Sequence, residues 1–411
     1  MKTVWLIIQD NNLPEHGSHN RHYHFAKYLK QVGYNPIVFS ASKTRHSDRQ
    51  LIEGRERFLV DDSHGFPYVY VKVNNYSGGM KKRLQAMVEF HSRLYACKNY
   101  FAKPDVVLGS SAYPLSPLLA IKLAGEYRCR SICEIRDLWP LSLEEYGIIK
   151  RGGAIAKAMY RLEHKLYREA DAVVFTMPGG SQYLRDRKWD CGSGGDVDLG
   201  KVFNVNNGVD LDEYHRNLEL FHYRDNRFSL SQARKVVYTG SIRRVNNVGF
   251  LVDTAKLLED SGVEFYLFGE GEERAQLEER CRVEGIVNVF FMGKIDKRFV
   301  PSVISQGSMV AMGSSFAYGV LRYGGSPNKL FDYLAAGKPI ISGLPFEYSI
   351  VNSNDCGIER RFDTPEACAS CILEMLDDPA AMRRWSKNAI NAAQQFSFKN
   401  LTNKLIEIIE G

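Results

Sequence analysis

The segment "RYGGSPNKLFDYLAAGKPIISG" contains the residues of this chain with the clearest chemical potential. Ser326 suits a helix N-cap, Pro327 suits the first helical position, and Gly337 suits the residue after the last turn. The pattern therefore predicts a helix of barely three turns over 327–336, with Ser326 capping it. The apolar run that follows predicts a buried strand.

One face of this predicted helix carries Lys329, Asp332 and Tyr333, because residues three and four positions apart lie side by side. Lys329 and the helix N-terminus, with Ser326 and Asn328, can face a diphosphate, and Asp332 can accept hydrogen bonds from ribose hydroxyls. The arrangement suits a nucleotide. A local pair between Lys329 and Asp332, without any ligand, fits the same spacing.

Other candidate residues follow apolar runs that predict strands. Gly240, Arg243 and Arg244 follow "KVVYT", and Gly269 follows "VEFYLF". In open α/β sheets ligands bind beyond the carboxyl ends of the strands, and arginine suits phosphate oxygens. We therefore assign these residues to the same candidate site, although a solvated loop explains the arginines as well.

The first half of the chain offers an anion-binding junction and a polar turn. Gly17 ends a long loop before a predicted helix, but the spacing is not that of a dinucleotide fingerprint. Four histidines lie nearby, and His19 with His22 has metal-ligand spacing, but no carboxylate or cysteine completes a set. We therefore predict no metal.

Arg136 and Asp137 follow the strand-like run "RSICEI" and precede Trp139-Pro140, which predicts an abrupt turn. An ion pair between them would simply close the loop. Alternatively, the carboxylate would face a cleft and orient a hydroxyl group.

Apolar runs and amphipathic segments alternate along the chain and then begin a second series, which predicts an α/β protein with two parallel sheets. A cleft is expected between the two domains. Predicted boundaries are an N-terminal domain at 1–208, a second domain at 209–384, and a C-terminal helix at 385–411 that packs back on the first domain.

Composition narrows the class of protein. The 411 residues carry a net charge of +6 and contain eight cysteines without a metal or disulfide framework. No membrane-spanning run is present, and the opening apolar run is too short for a signal peptide, so a cytoplasmic protein is expected. Residues 78–101 predict a basic helix that either contacts anionic lipid or packs on the sheet.

Taken together, these segments resemble family 4 glycosyltransferases of the GT-B fold, which has two Rossmann-like domains facing across a cleft. The likeness is carried by "EIRDLWP", "NVNNGVD", "YTGSIRR", "FGEGEERAQLEE" and "SPNKLFDYLAAGKPII", and it is strongest to the subgroup that assembles bacterial surface polysaccharides. It implies transfer from a nucleotide-activated sugar, most simply a UDP-sugar, to a glycan or lipid-linked acceptor. Retention of anomeric configuration without a metal or cofactor is also implied.

The resemblance extends to individual residues. It implies backbone contacts from Ile295 to the base, contact of Gly17 with the donor phosphate, and a positioning role for Asp137. The usual pair of family glutamates falls at Gly324 and Asp332, so the first acid is missing. Nucleic acid is not an expected partner.

Two alternatives remain open. A nucleotide-sugar 2-epimerase of the same fold would change the donor without an acceptor, but the sequence offers no convincing pair of acid-base carboxylates. A non-catalytic two-lobed sugar-binding protein would close on a sugar without transferring it.

Overall fold

The computed structural model describes residues 1–14, 20–43, 50–74, 80–111, 114–314 and 318–411. The chain forms two compact units, one of Met1–Asn206 with Phe398–Gly411, the other of Asn207–Ser397. Both are mixed α/β units built on predominantly parallel sheets. The predicted fold class is therefore confirmed.

The first unit contains an eight-stranded sheet. Its strands in chain order are β1 (Thr3–Ile7), β2 (Asn35–Ala41), β3 (Phe58–Asp61), β4 (Tyr68–Val71), β5 (Val106–Ser111), β6 (Arg130–Ile135), β7 (Ala172–Phe175) and β8 (Val202–Asn204). The spatial order is β3-β4-β2-β1-β5-β6-β7-β8, and β3 runs antiparallel to β4. Every residue of β1 is buried, as expected for a central strand covered on both faces.

Helices cover both faces of this sheet and produce two apolar clusters. They are α1 (Arg21–Gln31), α2 (Met80–Cys97), α3 (Leu115–Tyr127), α4 (Leu141–Glu145), α5 (Ala154–Glu169) and α6 (Gly180–Asp186). The sequence did not lead us to β3 and β4. Leu59 and Val60 of β3 are exposed because β3 is an edge strand.

The second unit contains a six-stranded, all-parallel sheet. Its strands are β9 (Arg234–Thr239), β10 (Val263–Phe268), β11 (Val289–Gly293), β12 (Met309–Ser314), β13 (Ile340–Gly343) and β14 (Gly357–Glu359). Their spatial order is β11-β10-β9-β12-β13-β14, so β9 and β12 are adjacent at the centre although β10 and β11 lie between them in sequence. Neighbouring loops at their carboxyl ends therefore come from distant parts of the chain.

Helices again cover both faces. They are α7 (Leu211–Leu220), α8 (Asn226–Leu230), α9 (Val248–Lys256), α10 (Arg274–Glu284), α11 (Val300–Ser305), α12 (Tyr318–Leu321), α13 (Asn328–Ala335), α14 (Ile350–Ser353), α15 (Pro365–Leu376) and α16 (Pro379–Gln395). The last helix of the chain, α17 (Phe398–Glu410), belongs to the first unit and packs on α1. No helix in the described residues is both long and apolar enough to cross a membrane.

The predicted single helix over 385–411 is instead two helices, and the predicted packing on the first unit applies to α17 alone. Ser397 separates α16 from α17, and α16 packs on α13 within the second unit. The contact-based division falls after Asn206 and after Ser397, compared with the predicted boundaries after 208 and 384.

Candidate donor site and the polar centre of the first unit

Two glycines bring the backbone close together at the carboxyl ends of β9 and β10. The N–H of Gly240 donates to the carbonyl of Phe268 at 2.9 Å. A Cβ added to Gly269 would lie 1.7 Å from the carbonyl oxygen of Gly240, which no side chain can tolerate. The two glycines therefore let the loops after β9 and β10 pack backbone against backbone.

Lys329, on α13, reaches this glycine edge. Its ammonium donates to the hydroxyl of Tyr238 at 2.8 Å and lies 3.9 Å from the centroid of that ring. A Cβ on Gly240 would stand 2.7 Å from the same nitrogen. Burial lowers the pKa of Lys329 to about 7, because removal from water disfavours the charged amine.

Asp332 lies nearly one turn further along α13 and is half-buried. Burial raises the pKa of its carboxyl, with Lys297 opposing the rise and Glu213 reinforcing it. Among the described residues Asp332 forms no ion pair, so the alternative that the sequence left open, a local pair with Lys329, does not occur. The carboxylate therefore has oxygens available to accept hydrogen bonds.

The prediction that Tyr333 shares this polar face is wrong. Tyr333 is fully buried, and its hydroxyl accepts from the N–H of Thr239 at 2.9 Å and donates to the carbonyl of Ala311 at 3.3 Å. It thus links β9 to β12 beneath the site. On a helical wheel the i, i+4 spacing places Tyr333 beside Lys329. In α13, however, the side of the helix that carries Tyr333 packs against the sheet.

Ser326 does not cap α13, contrary to the prediction. Pro327 adopts an extended conformation and the helix begins at Asn328, which is exposed. The hydroxyl of Ser326 accepts from the N–H of Asn207 at 2.7 Å, and its carbonyl accepts from the Asn207 side chain at 2.6 Å. Both bonds tie the start of the helix to the first residue of this unit.

The end of α13 follows the prediction more closely. Gly337 has a φ of 61°, the left-handed conformation expected after a last helical turn, and its N–H donates to the carbonyl of Leu334.

The other candidate residues of the second unit differ in burial and in their contacts. Arg243 is half-buried, with its Nε 3.8 Å from the carboxylate of Glu272. Arg244 is exposed and begins a short 3-10 turn after β9. Ile295, which follows β11, is half-buried and packs against an apolar cluster of the unit.

Arg136 and Asp137 follow β6 in the first unit as predicted, but the ion pair expected between them is not formed in the part of the chain that is described. Asp137 is exposed. The apolar surroundings raise the pKa of its carboxyl, against the opposing effects of Ser142 and the N–H of Leu138. Desolvation thus disfavours the charged form of this carboxyl group, which lies at the carboxyl edge of the sheet.

A buried charged cluster beside this edge was missed. Arg21 and His22, at the start of α1, contact Glu134 of β6 at 3.0 and 2.6 Å. Arg21 also donates to the carbonyls of Val205 and Asn206. A glutamate inside the buried run "RSICEI" was the available signal, because a charge in such a strand needs a partner.

The contacts in this cluster keep Glu134 ionised although it is buried. Burial opposes ionisation of Glu134, but Arg21 and His22 outweigh it and hold the pKa of Glu134 well below its usual range. Burial also lowers the pKa of His22. Gly17, His16 and His19, which precede α1, lie outside the described residues.

Comparisons with known proteins agree with this architecture. The sequence model described as "Glycosyltransferase Family 4" matches residues 16–213, and the one described as "Glycosyl transferases group 1" matches residues 233–378. The two matches together span most of the chain. A comparison with curated protein sequences finds no match.

Three solved structures share the fold over essentially the whole chain. HepE of Anabaena, in complex with UDP and glucose, has a TM-score of 0.68 and 14% identity, with 100% of both chains covered. WaaG, a glycosyltransferase involved in lipopolysaccharide biosynthesis, has a TM-score of 0.64 and 14% identity, covering 99% of this chain and 100% of its own. A Listeria monocytogenes protein assigned as a UDP-N-acetylglucosamine 2-epimerase has a TM-score of 0.59 and 12% identity, covering 99% and 95%.

The two family models, matched at residues 16–213 and 233–378, show that this chain is a GT-B glycosyltransferase that belongs to family 4.

Proposed function

We propose that the enzyme transfers a sugar from a UDP-sugar to a glycan or lipid-linked acceptor, with retention of anomeric configuration. The observation that carries this proposal is the amine of Lys329 directly above the bare backbone of Gly240, with Asp332 nearly one turn away on the same helix. This combination suits a nucleoside diphosphate. HepE, which has the same fold, is known in complex with UDP-glucose.

In this proposal the second unit binds the donor. Lys329, Arg243 and Arg244 offset the charge that develops on the departing diphosphate, so that neither a metal nor a cofactor is needed. Gly240 leaves space for a phosphate oxygen beside the amine of Lys329, and Gly269 lets the loops after β9 and β10 pack closely, with Ser326 and Asn328 at the helix start. Asp332 accepts from ribose hydroxyls, and Ile295 offers backbone groups to the base.

The first unit binds the acceptor in this proposal. Asp137 is exposed at the carboxyl end of β6 and positions an acceptor hydroxyl, while Arg136 supplies positive charge beside it. Gly17 would approach the donor phosphate. The buried cluster of Arg21, His22 and Glu134 fixes the start of α1 against β6, and we assign it a positioning role.

Calorimetric titration with a panel of nucleotide sugars tests the donor assignment. We expect UDP-sugars to bind the wild-type protein, and we expect Asp332→Ala to weaken binding by about tenfold or more, which corresponds to ~1.4 kcal/mol. Lack of binding by the whole panel, or equal affinity in Asp332→Ala, would count against the proposal. Asp212→Ala, which removes an exposed acid on neighbouring α7, is the matched control.

A 2-epimerase activity is the second candidate, because the Listeria monocytogenes protein shares the fold. Fold alone does not separate the two reactions. NMR of a UDP-sugar incubated with the enzyme and no acceptor distinguishes them, since an epimerase accumulates a second sugar nucleotide. We favour transfer because the sequence models that match this chain both describe glycosyltransferases.

We further propose a role in bacterial surface-polysaccharide synthesis, in the cytoplasm and at the inner face of the membrane. All eight cysteines are free thiols, as suits a reducing compartment. Leu84 and Val88 of α2 are 53% and 60% exposed, close to the exposed Lys82. This apolar and basic face supports contact with anionic lipid.

A further inference from the structure

A small pocket of about 40 Å³ opens beside Asp137 in the first unit. Ile135 at the end of β6 and Trp139 in the following turn form one side. Met159, Leu162 and Leu166 of α5 form the other side. These three helical positions are spaced by three and four residues, so they share one face of α5.

Most of the pocket lining is apolar. Glu163 also lines it, but both carboxylate oxygens are already occupied, accepting from Tyr167 at 2.6 Å and from Tyr183 at 2.8 Å. The other polar side chains of the wall are Ser111, which is buried, and Asp137, which is exposed. An occupant would therefore be apolar inside the pocket and polar where it meets Asp137.

The size of the pocket limits the occupant to a small group. A site for one water needs roughly 10–15 Å³ measured in this way, so the pocket holds about three or four such positions. That is too small for a sugar ring and suits a methyl or acetyl group. Its location matters because Asp137 is the residue to which we assign the acceptor hydroxyl.

We propose that this pocket receives a methyl-bearing substituent of the acceptor sugar, either the methyl of a 6-deoxy sugar or that of an N-acetyl group. The proposal rests on the proposed function and specifies its acceptor class. A hydrophobic pocket discriminates one methyl-sized group by about 10- to 200-fold.

Ligand-observed NMR tests the proposal with two pairs of methyl glycosides in the presence of UDP. One pair is methyl fucoside and methyl galactoside, and the other is methyl N-acetylglucosaminide and methyl glucoside. We expect the methyl-bearing member of one pair to bind at least about tenfold more tightly. Its substituent methyl should receive more saturation from the protein than its aglycone methyl, which is an internal reference.

Two variants of Leu162 complete the experiment. Leu162→Trp fills the pocket and should abolish the preference, whereas Leu162→Ala enlarges it and should preserve binding of the N-acetyl or 6-deoxy member. Equal affinities within both pairs, failure of all four glycosides to bind, or a preference unchanged by Leu162→Trp would overturn the proposal. Saturation transfer to the UDP signals in the same samples reports donor binding separately. If UDP still binds but neither pair of glycosides shows a preference, the pocket proposal fails while the proposed function stands.

Discussion

The amine of Lys329 lies 2.8 Å from the hydroxyl of Tyr238, and that hydroxyl in turn donates to the carbonyl of Ser241 at 2.8 Å. The partner of the amine is thus a neutral oxygen rather than a carboxylate. Burial without a counter-charge explains why the pKa of Lys329 falls to about 7. In the free protein the protonation of Lys329 therefore depends on pH, and a bound anion would favour the fully protonated amine.

Binding of UDP should therefore take up a proton above neutral pH. Near pH 8 the free protein holds Lys329 mostly neutral, and a diphosphate raises its pKa, so uptake should approach one proton per UDP. Near pH 6 the amine is already charged and uptake should be close to zero. Calorimetry in buffers with different ionisation enthalpies measures the number directly.

Variants of Lys329 assign that proton. Arginine remains charged throughout this range, so Lys329→Arg should abolish the uptake whether or not binding weakens. Lys329→Met should weaken UDP binding as well. An undiminished proton uptake in either variant would show that another group titrates.

Gly269→Ala should damage the donor site through the backbone. The new Cβ would collide with the carbonyl oxygen of Gly240, 1.7 Å away, and a backbone atom cannot move aside cheaply. We expect a loss of about 1–3 kcal/mol in stability, as in overpacked sites, together with weaker UDP binding. Gly249→Ala is the control, since its Cβ would meet Leu277 at an ordinary 3.5 Å. Equal melting temperatures for the two variants would contradict this reading of the glycine edge.

Glu163→Gln should change how stability depends on pH. Burial raises the pKa of Glu163 to about 8, while Tyr167 and Tyr183 oppose the rise. The unfolded carboxyl titrates near 4.5, so between these values the folded state holds more protons and its stability falls as pH rises. The slope is at most ~1.4 kcal/mol per pH unit.

Glutamine removes this titration, so the variant should gain stability relative to wild type between about pH 5 and pH 8. Urea unfolding followed by tryptophan fluorescence measures the difference. Glu169→Gln, an exposed change on the same helix, should follow the wild-type profile. Parallel profiles for Glu163→Gln and wild type would mean that Glu163 ionises normally in the folded protein.

Strong local patterns explain most of what the sequence could predict. Continuous apolar runs identified the central strands, because strands buried on both faces have no polar alternation. Gly357–Glu359 was missed because three residues cannot show a period. The segment containing Phe58–Asp61 was missed because this edge strand exposes Leu59 and Val60.

Spacing predicted that Lys329 and Asp332 lie on one short helix, as they do on α13. It could not show which face of that helix is buried. Tyr333 is buried because two strands distant in sequence, β9 and β12, supply partners for its hydroxyl. Ser326 failed as a cap because Asn207, far away in sequence, competes for its oxygen. Such choices depend on tertiary contacts that periodicity does not contain.

The exposed face of α2 makes the membrane proposal testable. Leu84→Ser with Val88→Ser removes two exposed apolar side chains, so folding stability should change by no more than about 0.5 kcal/mol per site. We expect wild type to float with vesicles that contain phosphatidylglycerol and not with pure phosphatidylcholine. The double variant should lose this association.

The matched control replaces two apolar residues of the second unit that are exposed to a similar degree. Val283 and Val287 are 68% and 71% exposed, and the double change to serine should leave flotation intact. Added salt should weaken flotation of the wild type, because screening reduces the attraction of the basic residues to anionic lipid. Equal loss in both double variants would indicate nonspecific adhesion, and absence of wild-type flotation would remove α2 as a membrane contact.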